Sequence, residues 1–531
     1  MDLLLKYRTY SREIYFWSLT VLAISLLFLR QLMVAGQVLL LLNWLLEGNL
    51  KQKLNLIYRR KSILIFSVVY LVHLIWLVNT SNFSFAFDNI LMKIPLIILP
   101  VVIGTSDPLS RVRLKQLMNI FILAVLTSTV ISTLILFGMI PYKINDIRDI
   151  SIFISHIRFS LCIVMCMLIL FHWIISEGNL KAKHLIYLAL CLWFFYFLVL
   201  LKSLTGIIIL LVTVFLLITK HIRAVKNQFL KIGLIMVLYA IPIFTVLYII
   251  TALNFYLSQD KVDFNRLDQF TKTGHRYIND TISKNRENGH YVWLYFCPEE
   301  LEKEWNNRSK IRYDGVDFKR QPLKFTLIRY LTSKGLRKDS AGVSKLSVKD
   351  ISNIENGISN VIFSNKGSIF PRVYEVIWEL DEYIRTGYSN GHSVTQRFVY
   401  SKIAYQLFAS HPLFGIGTGD VKDTLNNFYK THDTGLTKEF QRDIHNEYLR
   451  LLVPFGIVGF LLILSAFIIP PILEKKWSSY YFVMIFIILF LSFISEDTLE
   501  TQVGVTFAAF FYSLFLWGTD EKTLYEKFAK Q

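Results

Sequence analysis

Charged residues are scarce in this sequence. Of its 531 residues, 18% are Asp, Glu, Lys or Arg and 53% are hydrophobic, whereas soluble domains contain about 25% charged residues. The mean hydropathy is correspondingly high, at +0.44. A chain with so little charge and so many apolar residues is not a soluble enzyme, a fibrous protein or a disordered polypeptide.

Cysteine is scarce as well, with four residues in the whole chain. Cys162, Cys166 and Cys191 lie in apolar runs, and Cys297 stands alone in a polar stretch. A lone thiol there cannot close an internal disulfide, which excludes a disulfide-stapled extracellular module. The Cys and His residues also lack zinc-binding spacing, so the sequence predicts no metal site.

Long apolar runs are what the sequence has in abundance. A helix needs roughly 20 mostly apolar residues to cross about 30 Å of hydrocarbon. Because the first run lacks the cleavage site of a signal peptide, we expect it to remain as a span. The sequence therefore predicts an α-helical polytopic membrane protein with about 12 transmembrane helices. The twelve runs are 13–29, 32–47, 62–78, 89–104, 115–139, 157–175, 184–201, 203–219, 230–252, 449–472, 477–495 and 501–518.

Lys and Arg residues are distributed unevenly between alternate loops. With the N-terminus in the cytoplasm, the inner segments hold 22 of them and the short outer loops hold five. Because cytoplasmic loops are enriched in basic residues, we expect both termini in the cytoplasm and residues 254–448 outside. The net charge of +18 is then a consequence of topology, so no nucleic acid partner is expected.

The outer segment between the ninth and tenth runs has its own organisation. Turn signals such as Asn288-Gly289 and Asn356-Gly357 separate short apolar runs over residues 254–390 and predict a large mixed α/β periplasmic loop. Its aromatic residues suit either sugar stacking or a small core, and the core is favoured because aromatics dominate such cores. These residues are Trp293, Tyr295, Trp305, Tyr330 and Trp378.

The end of this outer segment predicts an amphipathic helix. Residues 397–410 place Val399, Ile403 and Leu407 on one face, and the helix must end near His411-Pro412. Such a helix is typical of an outer membrane surface. The glycine-rich run 415–419 lacks the Lys-Ser/Thr of a phosphate-binding loop and predicts a tight turn.

Ionisable residues near membrane depth collect at the outer face. They are costly there and are functional candidates: Arg158, Lys202, Arg397, His445 and Glu496, with Asp497 beside it. Clustered cations suit a phosphate or pyrophosphate, and a nearby histidine suits a general base for a hydroxyl nucleophile. Arg158 and Lys202 could instead be interfacial anchors. Lys93 and His73 are expected to be structural, as a snorkelling lysine and a helix-packing histidine.

The last third of the chain carries two motifs. Arg397 with the run 411–419 (HPLFGIGTG) is similar to the "R … hP-x-x-G-x-G" stretch of a known family, the O-antigen ligase and O-antigen polymerase superfamily. His445-Asn446, nine residues, Gly456, two residues and Gly459 are similar to its H-[N/S/Q]-x9-G-x-x-G signature. Because Gly456 and Gly459 are at i and i+3, we expect them to lie on one helical face and to let this span pack closely against a neighbour. The insert is longer than in enterobacterial ligases and resembles that of members from Bacteroidetes.

The resemblance implies a membrane glycosyltransferase of the C-type fold that acts in surface polysaccharide or lipopolysaccharide biosynthesis. Such an enzyme takes a glycan from undecaprenyl pyrophosphate and passes it to an acceptor hydroxyl on the periplasmic face of the bacterial inner membrane, without cofactor or metal. By this resemblance His445 is the catalytic base, and Arg397 and Arg158, with Lys202, bind the pyrophosphate. Glu496 is a possible acceptor contact or second base. The implied acceptors are lipid A-core, a glycan or a protein.

Alternative functions remain at this point. The signature spacing favours a ligase over a polymerase that uses the same donor, and a protein O-oligosaccharyltransferase is a further variant. A lipid-linked glycan flippase or transporter is the alternative from another class, but it should show inverted repeats and midplane polar groups. We divide the chain into spans one to nine (1–253), the periplasmic insert (254–396), the amphipathic helix and catalytic loop (397–448), spans ten to twelve (449–518) and a cytoplasmic tail (519–531).

Overall fold

The computed structural model describes residues 2–144, 147–176, 182–222, 228–365 and 367–519. Within these ranges the chain is predominantly helical, with 21 α-helices and a single β-hairpin. The helices are α1 (Asp2–Phe28), α2 (Arg30–Leu46), α3 (Leu50–Arg59), α4 (Lys61–Ile75), α5 (Phe83–Lys93), α6 (Pro95–Thr105), α7 (Arg111–Leu136), α8 (His156–Ser176), α9 (Ala182–Leu200), α10 (Leu204–His221), α11 (Gln228–Leu257), α12 (Pro298–Arg308), α13 (Leu323–Ser333), α14 (Ser340–Ser344), α15 (Val348–Glu355), α16 (Phe370–Thr386), α17 (Ser393–Ser410), α18 (Val421–Thr431), α19 (Glu447–Leu473), α20 (Tyr480–Ser495) and α21 (Gln502–Leu516). The strands of the hairpin are β1 (Arg286–Glu287) and β2 (His290–Tyr291).

Helices long enough to cross a membrane account for much of the chain. The described residues contain eight such spans, or nine if α2 and α3, which meet at 109°, are counted together. Three shorter apolar helices, α10, α20 and α21, accompany them. These helices support a polytopic membrane protein. Each of the twelve predicted runs falls on helical chain, and α9 and α10 are separate helices, but the number of spans stays a prediction.

The fourth predicted run, 89–104, is a broken helix. Its first half lies in α5, which ends at Lys93, and α6 begins at Pro95. Ile94 between them keeps helical φ and ψ (−48°, −37°), but Pro95 has no N–H to donate to the preceding turn, so the hydrogen-bond ladder is interrupted there. The interruption therefore follows from the sequence, and it leaves Lys93 at the junction with its side chain fully buried.

Chain segments Met1–Leu238 and Thr386–Gln531 form one compact unit, and its core is built on aromatic residues. Phe66 of α4 stacks on Tyr512 of α21 with ring centroids 4.6 Å apart, and it meets Phe467 of α19 edge to face at 5.3 Å. In α21 every residue from Gly504 to Leu516 is buried. A helix that is apolar on all sides belongs inside a bundle, so α21 is a central support for the loop that precedes it.

The second compact unit, Tyr239–Arg385, is mostly helical. Its only regular strands within the described residues are the two-residue strands β1 and β2, so the expected mixture of helix and strand reduces to one hairpin. Asn288 and Gly289 both have positive φ, as a two-residue hairpin turn requires. The other signal, Asn356-Gly357, ends helix α15 instead of joining strands, because Gly357 (φ 72°) donates its N–H back to Ile354.

The insert's aromatic residues divide between core and surface. Trp305 and Tyr330 are fully buried in a cluster with Leu301 and Leu327, as the core interpretation predicts. Trp378, by contrast, is 37% exposed. The core of this unit is therefore built on only part of the aromatic set.

Candidate active site

The segment His445-Asn446-Glu447 ties the start of α19 to the connection between α20 and α21. Asn446 accepts the N–H of Leu449 as the helix N-cap and donates its amide N–H to the carbonyl of Ile494. The carboxylate of Glu447 accepts the N–H of Leu499 at 2.8 Å. His445 itself has a positive φ of 49°, a conformation that non-glycine residues seldom adopt. Two flanking contacts thus hold the histidine against the α20–α21 connection.

That connection presents two carboxylates. Helix α20 ends at Ser495, Glu496 and Asp497 follow, and a short 3₁₀ turn covers Thr498–Glu500 before α21 begins. An added Cβ at Gly504 would overlap the carbonyl oxygen of Thr498. The turn is therefore packed tightly onto α21, which fixes where Glu496 and Asp497 point.

Four of the five residues predicted from the sequence meet at this turn, together with Asp497. Nδ1 of His445 lies 3.6 Å from Oδ1 of Asp497, and Nη2 of Arg158 lies 3.9 Å from the same oxygen. Nη2 of Arg397 donates to Oε1 of Glu496 at 2.8 Å. The side chains of His445 and Arg397 are each 29% exposed. The result is a partly dehydrated cluster of two cations, two carboxylates and an imidazole.

Arg397 is positioned by helix α17. The buried face of α17 includes Val399, Ile403 and Leu407, as the sequence predicts, and the helix packs against α19. Three N–H groups of the guanidinium are engaged, because Nε also donates to the carbonyl of Ser495 and Nη1 to that of Ser393. Since a guanidinium has five N–H groups, two remain for a ligand.

Burial and charge act in opposite directions on His445. Burial lowers the pKa of the imidazole, but the contact with Asp497 and the charges of Asp497 and Glu496 outweigh it, while Arg397 opposes them. The net result is a pKa raised above its usual value. His445 is thus a stronger base than a free histidine, and Asp497 faces its Nδ1.

Lys202 lies in the turn between α9 and α10. Its φ is 52°, and Ser203 in the same turn accepts the N–H of Gly206. An added Cβ at Gly206 would overlap Ser160 of α8, which is two residues from Arg158. The turn of Lys202 therefore packs beside the start of α8, the helix that carries Arg158.

The ligand atoms of His445, Glu496 and Asp497 lie within 4.8 Å of one another, a spacing that could hold a metal ion. Arg397 and Arg158 already lie against the two carboxylates. Because both carboxylates have cationic partners, a metal would have to compete with them. The absence of a metal from the reaction stays a prediction.

The two glycine motifs pair with each other through their backbones. Gly417 donates its N–H to the carbonyl of Pro454, and Ile457 donates to the carbonyl of Pro412. Gly456 has φ 59° and ψ −169°, which interrupts α19. The expectation that Gly456 lies on a regular helical face beside Gly459 is therefore wrong. Pro454 and Gly456 break the helix, and the freed backbone groups bond to the 412–417 turn.

A second ion cluster was not predicted. Lys93 is fully buried, and its Nζ lies 2.6 Å from Oε1 of Glu500 and donates to Asn89 at 2.8 Å. Arg450 contacts the other oxygen of Glu500 at 3.1 Å. The snorkelling interpretation of Lys93 is wrong, since its charge is neutralised inside the bundle. The sequence signal that could have indicated this cluster was Lys93 itself, a lysine within an apolar run.

His73, in contrast, matches its structural interpretation. Its Nδ1 lies 2.7 Å from the carbonyl oxygen of Val69, one turn earlier in α4. Its ring packs edge to face against Phe455 of α19, with centroids 4.7 Å apart. The histidine thus joins two helices.

Comparison with protein families matches residues 348–464 to the family described as O-antigen ligase. The matched region contains Arg397, the 411–419 turn and His445 with both signature glycines, whereas Arg158, Lys202 and Glu496 lie outside it. The match confirms the resemblance to the O-antigen ligase superfamily. Comparison with curated protein sequences gives no match.

Proposed function

We propose that this chain is a membrane glycosyltransferase of the O-antigen ligase type. In this proposal it transfers a glycan from undecaprenyl pyrophosphate to an acceptor hydroxyl at the periplasmic face of the bacterial inner membrane. The family match at 348–464 and the apolar helices support the general class. The observation that carries the proposal is the convergence of His445, Arg397 and Arg158 on the turn at residues 496 and 497.

The leaving group is the lipid pyrophosphate, and the two arginines would hold it. Arg397 keeps two N–H groups beyond those bound to Glu496 and to the two carbonyls. Nε of Arg158 is buried and has no hydrogen-bond acceptor among the described residues. Planar guanidinium groups bind phosphate oxygens in two-pronged fashion. Stabilising the developing charge in a preorganised site contributes roughly 10²–10³ in rate for each donor. Lys202 would supply a further positive charge.

His445 would accept the proton of the acceptor hydroxyl. The carboxylate of Asp497 lies 3.6 Å from Nδ1, and its charge favours the tautomer with the proton on this nitrogen, which would leave Nε2 as the basic atom. General base catalysis of this kind contributes about 10²–10⁴ in rate. Direct attack of the hydroxyl on the anomeric carbon then breaks the bond to the pyrophosphate and inverts the configuration at that carbon. Glu496, the second candidate base, is engaged with Arg397 and would hold that arginine in place.

The two termini are cytoplasmic in this proposal, and residues 254–396 are periplasmic. The excess of Lys and Arg in the inner segments supports this orientation. Ligase and polymerase share donor and chemistry, and the H-N-x9-G-x-x-G spacing favours the ligase.

The proposal is tested with purified protein in lipid vesicles that contain an undecaprenyl pyrophosphate-linked glycan and an acceptor extract. We expect His445→Ala to lower transfer at least about 100-fold, since the base is lost. His432→Ala, in an exposed histidine after α18, is the matched control and should retain normal transfer. Normal transfer by a folded His445→Ala protein would refute the proposal.

A further inference from the structure

Helix α3 follows α2 at a sharp bend. The two helices meet at 109°, and the residues between them include Gly48 and Asn49, which both have positive φ (79° and 58°). Glycine and asparagine adopt this left-handed backbone more readily than other residues. Because two such residues follow each other, the sequence itself favours the bend, and α3 is not a straight continuation of α2.

Helix α2 is nearly long enough to cross the membrane without α3. Its 17 residues extend over roughly 25 Å at about 1.5 Å per residue, close to a hydrocarbon thickness of about 30 Å. The ten residues of α3 are too few to cross alone. Since α3 runs at a steep angle to α2, an α2 that crosses the membrane leaves α3 close to the membrane plane.

One side of α3 is apolar and exposed. Leu50, Leu54 and Tyr58 are spaced by four residues, which places them on one side of a helix, and they are 43%, 60% and 78% exposed. We call these three residues the apolar stripe. Lys53 and Ile57 lie on the neighbouring side, which is turned to the protein where α3 packs against α4 and α6. The stripe remains outside this packing.

The rest of the exposed surface of α3 is mostly polar. Lys51, Gln52, Asn55 and Arg59 are exposed there, and Leu56, at 40% exposed, is the apolar exception. An apolar stripe beside a basic, polar side is typical of a helix in the membrane interface. The apolar side of such a helix lies among the acyl chains, and its polar side lies among headgroups and water.

Cations outnumber carboxylates around α3. Residues 47–61 contain one carboxylate, Glu47, and five cations: Lys51, Lys53, Arg59, Arg60 and Lys61. Lys53 is paired with Glu47 at 2.7 Å, and Arg60 is paired with Glu474 of α19's C-terminal end at 2.9 Å. The other three cations are exposed. Exposed cations beside a membrane surface attract anionic phospholipids.

We propose that α3 is an interfacial helix that binds anionic phospholipids. The apolar stripe lies among the acyl chains, and Lys51, Arg59 and Lys61 meet the phosphate groups of lipids such as phosphatidylglycerol. In the proposed orientation this is the cytoplasmic leaflet. The inference goes beyond the proposed transfer reaction, since it concerns a surface that binds lipid and takes no part in the chemistry.

The test of position is fluorescence quenching in the full-length protein, reconstituted in vesicles of phosphatidylcholine and phosphatidylglycerol. Leu54→Cys, on the stripe, and Asn55→Cys, on the polar side, each carry the fluorophore NBD. We expect nitroxide-labelled lipids to quench the probe on the stripe, and iodide on both sides of the membrane to quench the probe on the polar side. A nitroxide near the headgroup should quench the stripe probe more than one near the end of the acyl chain. Tyr58→Cys repeats the measurement on the stripe.

Three outcomes of this experiment would overturn the inference. Equal quenching of both positions by iodide would place α3 in water. Stronger quenching of the stripe probe by the deep nitroxide would make α3 part of a membrane span. Protection of the stripe probe from both quenchers would show that another protein or a second copy of the chain covers it.

Lipid preference is measured with the same stripe probe. We expect spin-labelled phosphatidylglycerol to quench it at least about twofold more than spin-labelled phosphatidylcholine at equal concentration, because the exposed cations enrich the anionic lipid. Lys51→Gln/Arg59→Gln should remove most of this preference. Lys310→Gln/Lys324→Gln, which removes two exposed lysines of the insert, is the matched control and should retain it. Equal quenching by the two lipids, or the same preference in both double variants, would refute binding of anionic lipid by α3.

Discussion

His445 combines three features that a structural histidine seldom has together. Its backbone is in the left-handed region, its ring is 5.7 Å from that of Tyr400, and its Nδ1 faces Asp497. The backbone conformation is held by Asn446 and Glu447 on the following two positions. Unfavourable backbone geometry that is maintained by neighbouring contacts is common at functional sites.

The raised pKa of His445 predicts the pH dependence of transfer. A base must be unprotonated, so the rate should rise with pH, with a midpoint above the ordinary histidine value of about 6.5. In Asp497→Asn the largest raising contribution to the pKa of His445 is lost, and Glu496 alone then opposes burial and Arg397, which both lower that pKa. The midpoint should therefore move to lower pH. The measurement is the pH–rate profile of transfer in vesicles.

The contribution of His445 to folding stability has the opposite pH dependence from the expected transfer rate. Because the folded pKa of His445 is raised, its protonation stabilises the protein below the unfolded pKa, and this contribution is lost as pH rises through the folded pKa. Loss of transfer at low pH would then reflect the state of the base and not lost stability from this residue. Asp433→Asn, at an exposed loop position, is the control. An unchanged midpoint in Asp497→Asn would contradict the prediction.

At the residue scale, the sequence was informative for isolated polar groups in apolar surroundings. His445, Arg158 and Glu496 stood out as ionisable residues at span ends, and they lie together with Arg397, which the sequence placed at the start of the amphipathic helix. The partner of Lys93 could not be predicted in the same way, because Glu500 is 407 positions away in the chain. Pairing over such a distance depends on how the helices pack, which the local pattern does not encode.

At the element scale, helix α19 contains a break at residues 454–456. Pro454 and Gly456 open its hydrogen-bond ladder, and residues 412–417 of the turn after α17 fill the gap. Trp76 at the end of α4 donates to the carbonyl of Phe414 and so holds the same turn from the other side. These contacts hold α17, which carries Arg397, against α19, which follows His445.

Gly456→Ala should disturb the backbone contacts between the 412–417 turn and α19. The φ and ψ of Gly456 lie in a region essentially restricted to glycine, and an added Cβ would overlap the backbone of Leu413. We expect a loss of at least about 2 kcal/mol in unfolding free energy and a large loss of transfer. The measurements are apparent Tm in detergent and the transfer rate.

Gly138→Ala is the matched control for this change. Gly138 also has positive φ, 74°, but an added Cβ there meets nothing within 4 Å. It should cost about 1 kcal/mol from backbone strain alone and leave transfer intact. If the two variants were equally stable and equally active, the close approach of the two motifs would not matter. The motif spacing in the sequence predicted the site, but the regular-helix interpretation missed this contact, because a glycine pattern does not distinguish close helix packing from a break.

At the scale of the whole molecule, apolar composition predicted the helical class and charge predicted its orientation. The insert shows the limit of this reasoning. Its Asn-Gly signals predict turns correctly, but only one of the two pairs described above joins strands, and the other ends a helix. A turn signal fixes where the chain reverses, while the neighbouring periodicity decides what it connects.

The orientation is open to a direct test by cysteine labelling. The native cysteines give a low background, since Cys162, Cys166 and Cys297 are buried and Cys191 is half-buried. Lys310 in the insert and Lys51 in α3 are both exposed. If the insert is periplasmic, Lys310→Cys should react with a membrane-impermeant maleimide in intact spheroplasts.

Lys51→Cys is the opposite case, because the positive-inside distribution places residue 51 in the cytoplasm. It should react only after the membrane is permeabilised, and its labelling should then match that of Lys310→Cys. The reverse pattern would invert the topology and move the His445 cluster to the cytoplasmic face. A donor that presents its glycan in the periplasm could not reach the cluster there, so this single measurement bears on the fold and on the proposed reaction together.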